Sequence, residues 1–167
     1  MPLKTPRLVL RAQVQADAAA LFTILRDPVA MGFWSRPPAT RLAAVETLMA
    51  EQQAAMGCGL CRYWTILEDN DAIGSIDLSL IRDGSAELGF VLRSDRWGAG
   101  LATEAVNAVI AHGFGPLRLT RLASVVQSQN RAAARVLEKT GFVLIEHRAV
   151  VLPSGGKRDC GFYLRER

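Results

Sequence analysis

Apolar and polar positions alternate in Arg7-Leu8-Val9-Leu10-Arg11, a period-2 pattern that predicts a strand. From Asp17 to Leu25, apolar Ala18, Leu21, Phe22 and Leu25 share one helical face, and Pro28 follows just beyond the end. Met31 to Ala39, with Gly32, Pro37 and Pro38, is expected as a loop. A second helix is predicted over Thr40 to Met56, with Thr40 as N-cap and Gly57 as stop. Two apolar-rich runs, Tyr63 to Glu68 and Ala72 to Ile81, flank an acidic turn and predict a hairpin. Asp83-Gly84 is the next turn signal, and Ala86 to Leu92 the following strand. Leu101, Ala105 and Val109, with Val106, Ile110 and Phe114, then recur at helical spacing.

Leu117 to Val126 reads as a strand, and Ser128-Gln129-Asn130 opens another helix carrying Ala133, Val136, Leu137 and Thr140. Lys139 suits its last turn, Gly141 its left-handed cap, and Phe142 can fold back on it. Val143 to Val151 and Gly161 to Leu164 are the final strands, around a Pro-Ser-Gly-Gly turn at 153–156. The pattern predicts one α+β domain over residues 1–167: an antiparallel sheet with one strand–helix–strand crossover in its middle.

The crossover carries the chemistry. Trp97-Gly98-Ala99-Gly100 places small residues between a strand and a helix N-terminus. Small residues let the backbone approach a ligand, and the first-turn N–H groups and the helix dipole face the same spot. Such a turn can cradle a phosphate, or it can be a tight connection with no ligand. It has no Gly-x4-Gly-Lys-Ser/Thr pattern, and Thr103 stands where the third glycine of Gly-x-Gly-x-x-Gly would be. The ligand is therefore expected to bear a phosphate without being a nucleoside triphosphate or a dinucleotide.

Composition narrows the field. The chain has 167 residues, 50% hydrophobic and 22% charged, as suits a globular domain with a sizeable core. No apolar run approaches the ~20 residues that span a bilayer, and the first residues lack a secretory stretch, so no membrane role and a cytoplasmic site are expected. The net charge of +4 suits an anionic ligand, but the basic residues are scattered and carry no nucleic-acid signature. Cys58 and Cys61 form a Cys-x-x-Cys without a second pair, so no metal is expected and incidental reduced thiols are favoured.

Two long motifs carry a resemblance. Residues 97–105 (Trp-Gly-Ala-Gly-Leu-Ala-Thr-Glu-Ala) resemble the acetyl-CoA pyrophosphate loop of the GNAT N-acetyltransferase superfamily. Residues 130–142, from Asn130 through Gly141 to Phe142, resemble its second signature. The opening 3–11 and the late Gly-Lys-Arg-Asp at 156–159 are similar to the RimJ/RimL-like group. The resemblance implies a mostly antiparallel sheet of about seven strands with one parallel splayed pair, flanked by about four helices. It implies acetyl-CoA as cofactor, held by the 98–103 amides with Trp97, by backbone groups around Val91, Leu92 and Arg93, and by Asn130 on the pantetheine arm. Arg93, Arg96, Arg131, Arg135 and Lys139 flank the signatures and can attract its phosphates.

Acetyl transfer to an amine needs a neutral nitrogen, and a nearby carboxylate can take the proton. Glu87 matches a strand glutamate that serves as base in relatives; alternation also permits a solvated sheet glutamate. Glu146 and His147 are the reserve. Ala133 and Leu137 lack the hydroxyls that relatives use as general acid, leaving Ser124, Ser128, Cys160, Tyr163 or water. Phe33 and Trp34 can line an acceptor pocket or plug the space between two helices. The expected partner is an amine, either a protein N-terminus or a small amine such as an aminoglycoside or polyamine, taken by a monomer or homodimer. A non-catalytic acyl-CoA-binding protein is the alternative.

Overall fold

The computed structural model describes residues 1–151 and 156–167. Of the turn expected at 153–156, only Gly156 is among them. The strands are β1 (Leu3–Lys4), β2 (Val9–Ala12), β3 (Arg62–Glu68), β4 (Asp71–Arg82), β5 (Ser85–Leu92), β6 (Arg121–Gln127), β7 (Val143–Val151) and β8 (Lys157–Glu166). The helices are α1 (Ala18–Leu25), α2 (Leu42–Gly57), α3 (Leu101–Phe114) and α4 (Arg131–Lys139). The strands form one 8-stranded sheet in the order β1-β2-β3-β4-β5-β6-β8-β7, one more than the pattern gave because β1 is only two residues long. Every neighbouring pair is antiparallel except β5 and β6.

The two hairpins flanking β4 turn through left-handed residues, Asp69 and Asn70 at one end and Asp83 and Gly84 at the other. Both central positions at positive φ give the tight turn whose twist matches a hairpin. The end of α4 satisfies its carbonyls as the sequence suggested. Gly141, at φ 83°, donates to Glu138 O at 3.1 Å and Phe142 donates to Leu137 O at 3.0 Å, while the Phe142 ring is buried.

Two local readings are corrected. Thr40 does not cap α2: the cap is Arg41, in extended conformation and with no side-chain hydrogen bond. The strand expected from Leu117 begins only at Arg121, because Arg118 takes a left-handed φ of 52° and Leu119 turns inward to be buried in the core.

The sheet's two faces differ in chemistry. Ile76 and Leu78 of β4 and Leu88 of β5 join Leu101, Ala105, Val106 and Val109 of α3 in the main core. The opposite face is roofed by α1 and α2, whose Leu21, Ile24, Val45 and Met49 form a second cluster that reaches Val91. Beneath that roof the strands present Ser75, Asp77 and Ser79, so the helices cannot close on the sheet without burying unpartnered polar groups. A cavity remains there.

Candidate active site

The parallel pairing of β5 and β6 runs only from Ser85–Arg121 to Glu87–Ala123, after which the strands diverge. Arg93 donates its N–H to Ile73 O at 2.8 Å, so on alternation Leu88, Phe90 and Leu92 turn their backbone groups toward the opening. Ser124 Oγ donates to Leu88 O at 2.9 Å, and Trp97 Nε1 donates to Leu92 O at 3.0 Å. That leaves the N–H and C=O of Phe90 and the N–H of Leu92 facing the gap. Of the backbone expected to meet the cofactor around Val91 to Arg93, Leu92 faces the gap together with Phe90, while the Arg93 amide is used within the sheet.

The gap leads to the start of α3. Gly98 and Gly100 lie at φ 80° and 79°, and Gly100 is the helix N-cap. The first helical hydrogen bond is Glu104 N–H to Gly100 O at 3.1 Å, and no backbone acceptor meets the N–H groups of residues 98–103 among the described residues. A Cβ on Gly98 would meet nothing within 4 Å, so the turn opens outward. The N-terminal segment braces it: Arg7 donates through Nη1 to Ala99 O at 2.9 Å and through Nε to Glu104 Oε2 at 2.7 Å, and Thr5 Oγ1 donates to Glu104 Oε1 at 2.6 Å. Burial would raise the Glu104 carboxyl, but these hydrogen bonds outweigh it and hold it below the usual range.

A cleft of about 400 Å³ joins the gap, the turn and the first face of α4. It is lined by Val91, Leu92, Trp97, Gly98, Gly100, Leu101, Ala102, Thr103, Asn130, Arg135 and Lys139 of the expected cofactor residues, and also by Phe90 and Arg96. Asn130 caps α4 by accepting the Ala133 N–H at 3.1 Å, which leaves its side-chain amide nitrogen for a ligand. Ala99 and Arg131 stand beside the cleft without lining it. Arg93 is turned away, held by Asp71 at 2.9 Å and Asp95 at 2.7 Å, and Arg96 pairs with Glu68 at 3.2 Å. Neither Arg135 nor Lys139 has an ion-pair partner among the described residues.

The second cavity, of about 440 Å³, lies across β5 under α1 and α2. Glu87 lines it, half-buried, and burial lifts its carboxyl above the ordinary range. Asp77, which the sequence reading passed over, lines it too; burial foremost, and then the charge of Glu87, push its carboxyl up to about 7. Tyr63 stands beside them, its phenol raised to about 12 chiefly by burial. Trp34 and Val91 line both cavities and form the wall where they meet. Phe33 lines neither; its carbonyl accepts from Gln127 Nε2 at 2.8 Å and fixes the loop over the gap.

The other sequence candidates lie elsewhere. Glu146 pairs with Arg148 at 3.5 Å and His147 with Ser128 Oγ at 2.9 Å, on β7 away from either cavity. Ser124 is committed to Leu88 O; Cys160 and Tyr163 are buried, and Thr103 is the only hydroxyl among the residues lining the cleft. Cys58 and Cys61 are free thiols, and no cluster of metal-binding side chains is found among the described residues. Among those residues, no helix is long and apolar enough to cross a membrane.

Comparison with known proteins agrees with this geometry. The Acetyltransferase (GNAT) domain family matches residues 7–143. The uncharacterized N-acetyltransferase p20 of Bacillus licheniformis is 28% identical over 144 residues, 84% of this chain and 81% of that protein. The uncharacterized N-acetyltransferase YoaA of Bacillus subtilis is 28% identical over 148 residues, again 84% and 81%. The fold is shared with the Salmonella typhimurium acetyl transferase that modifies the N-terminal serine of ribosomal protein L7/L12, at 18% identity and TM-score 0.90 over 100% and 99% of the two chains. It is shared also with the Vibrio cholerae spermidine N-acetyltransferase, solved with CoA and spermine, at 21% identity and TM-score 0.85 over 97% and 96%. With two cavities meeting at an opened parallel pair and the matching domain spanning 7–143, the chain is an N-acetyltransferase belonging to the GNAT acetyltransferase family.

Proposed function

We propose that this chain transfers an acetyl group directly from acetyl-CoA to a primary amine seated under α1 and α2, with Glu87 taking the amine's proton. Acetyl-CoA, the usual acetyl donor of this family, supplies an acyl group activated by a thiol leaving group. The N–H groups of residues 98–103 and the positive end of α3 suit its pyrophosphate. The backbone of Phe90 and Leu92 and the Asn130 amide suit the pantetheine arm, with Arg135, Lys139 and Arg131 around the phosphates. Trp34 walls the acceptor side, and Phe33 holds the loop above it.

The observation that carries the reading is the shared wall. Trp34 and Val91 border both cavities, so a thioester lying along β5 and an amine rising past Glu87 meet at one point. Such an arrangement needs no covalent enzyme intermediate, and positioning supplies much of the rate. With no unengaged hydroxyl at the β5 end of the cleft among the described residues, water is the proton source for the departing sulfur. As acceptor we favour a protein N-terminus, whose α-amine has a pKa of about 7.7–8.0 and gives up its proton readily. A polyamine is the second reading, favoured by the carboxylates Glu51, Asp77 and Glu87 around the cavity.

Incubation with acetyl-CoA and a mixed library of peptides and amines, read by mass spectrometry, tests both. Acetylated peptide α-amines are expected; acetylated polyamines alone would select the second reading. Acetyl-CoA binding with no product from any acceptor would sink the proposal.

A further inference from the structure

Of the three carboxylates lining the cavity under α1 and α2, two, Asp77 and Glu87, stand on its strand floor, where one would serve as base. Asp77 stands opposite Gly89 across β4 and β5, and Glu87 stands opposite Ser79, so the acids are diagonal neighbours on one strand pair. Diagonal positions of this kind lie about 7–8 Å apart. A Cβ on Gly89 would lie 2.9 Å from Asp77 Oδ1. The Asp77 carboxylate thus leans over β5, into the space an ordinary side chain would take, and toward the strand that carries Glu87.

The surroundings leave this charge without a counterpart. From β3 comes the neutral phenol of Tyr63, from α2 the carboxylate of Glu51 with neutral Gln52, and from just after β2 neutral Gln13. Cys61, just before β3, adds an undissociated thiol raised by burial. Arg36, in the loop before α2, is the one cation lining the cavity among the described residues, and it forms no ion pair there with either acid. Enclosed charges are ordinarily paired, so two acids facing one cavity imply a cation that arrives with the substrate.

We propose that Asp77 and Glu87 form one carboxylate pair that seats the acceptor as its ammonium ion and takes a single proton from it. Asp77 is then a positioning residue that acts through Glu87. The proposal rests on the transfer described above and deepens its acceptor site. In the step, an ammonium N–H bond breaks and an O–H bond forms on Glu87. The freed nitrogen then bonds to the acetyl carbon as the carbon–sulfur bond breaks. The second nitrogen proton leaves through water to the departing thiolate, and the pair returns its proton to solvent. Two acids on one strand pair can hold one proton between them near neutrality; the charge of Glu87 adds to burial in raising Asp77, and burial raises Glu87.

The test is an NMR titration of the side-chain carboxylates in the intact protein, with n-butylammonium chloride as the cation probe. Asp77 and Glu87 should titrate as a coupled pair, the upper step near neutrality. Glu87→Gln should lower the Asp77 step by about one pH unit or more, and Gly89→Ala, which displaces Asp77 Oδ1, should uncouple the two. The probe should shift the upper step down, and Asp77→Asn should weaken its binding about tenfold at pH 8. Two independent titrations, or probe binding unchanged in Asp77→Asn, would overturn the pair. Turnover separates this from the parent reading. If Glu87→Gln acetylates a library acceptor at the native rate, the base is wrong; if Glu87→Gln is impaired but Asp77→Asn keeps native KM and pH profile, only the pair is wrong.

Discussion

Glu87 sits at the last rung before β5 and β6 part, where its side chain is half enclosed and the backbone beyond it faces the cleft. In the proposed transfer, a base at that rung meets the amine just before the acyl carbon does. Glu87→Gln should therefore lower turnover by about 10² to 10⁴ at neutral pH, the usual worth of general-base help, with acetyl-CoA affinity unchanged. The defect should shrink as pH rises and more acceptor is already neutral; steady-state kinetics from pH 6 to 9.5 with a calorimetric acetyl-CoA titration checks it. On the cleft side, Arg135 and Lys139 have no ion-pair partner among the described residues, unlike Arg93 and Arg96. Arg135→Ala and Lys139→Ala should each weaken acetyl-CoA binding and flatten its fall with added salt, measured by titration at 50 and 500 mM salt. The glycines were legible in the sequence because their spacing sits inside a long motif, whereas Glu87 lies outside both motifs and is named from its resemblance to a strand glutamate of relatives. Asp77 was not legible. In Ser75-Ile76-Asp77-Leu78-Ser79 the polar positions alternate as they would on any water-facing strand, and only the roof of α1 and α2 turns that face into a cavity.

At the scale of elements, the start of each crossover helix is a cap in the fold and a wall of the cleft. Asn130 caps α4 and lines the cleft, so Asn130→Ala should cost about 1 kcal/mol of stability and also weaken acetyl-CoA binding. Asn130→Ser, which keeps a capping oxygen, should recover the stability but not the affinity; thermal melts and titrations separate the two. Gly98→Ala meets open space, yet its positive φ should cost about 1–2 kcal/mol, and the added methyl should hinder the pyrophosphate. Elements whose ends carry a local signal were readable: Gly141 and Phe142 close α4 by the hydrogen bonds that their sequence suggests. Elements fixed by distant contacts were not. β1 exists through two rungs against β2, and Leu119 leaves the expected strand because the core has room for it.

For the whole molecule, the acceptor cavity should leave a mark on stability. The Asp77 carboxyl rises from an ordinary unfolded value of about 3.9 to about 7 in the fold. Between those values the folded chain holds more protons than the unfolded one, so its stability falls as pH rises through that window. Asp77→Asn, neutral throughout, should melt higher than the native protein above pH 7 and equally at pH 4; calorimetry at both pH values decides. A higher melting point bought by a weaker acceptor site would be direct evidence that the cavity is kept at the fold's expense.

Strand parity divides the labour of this sheet. On β4 and β5 the odd positions 75, 77, 79, 87 and 89 look into the cavity under α1 and α2, while the even positions 76, 78, 86, 88 and 92 belong to the core. Among the described residues of these two strands, Val91 alone lines both cavities. Under the proposed function, point substitutions at odd positions should retune which amine is taken while the donor side and the packing stay as they are. A one-residue insertion or deletion within β5 has no such freedom: it would swap every face at once, driving Glu87 into the core and Leu88 into the cavity. Descendants of this sequence should thus diversify their acceptors through odd-numbered replacements and keep the length of β5 constant.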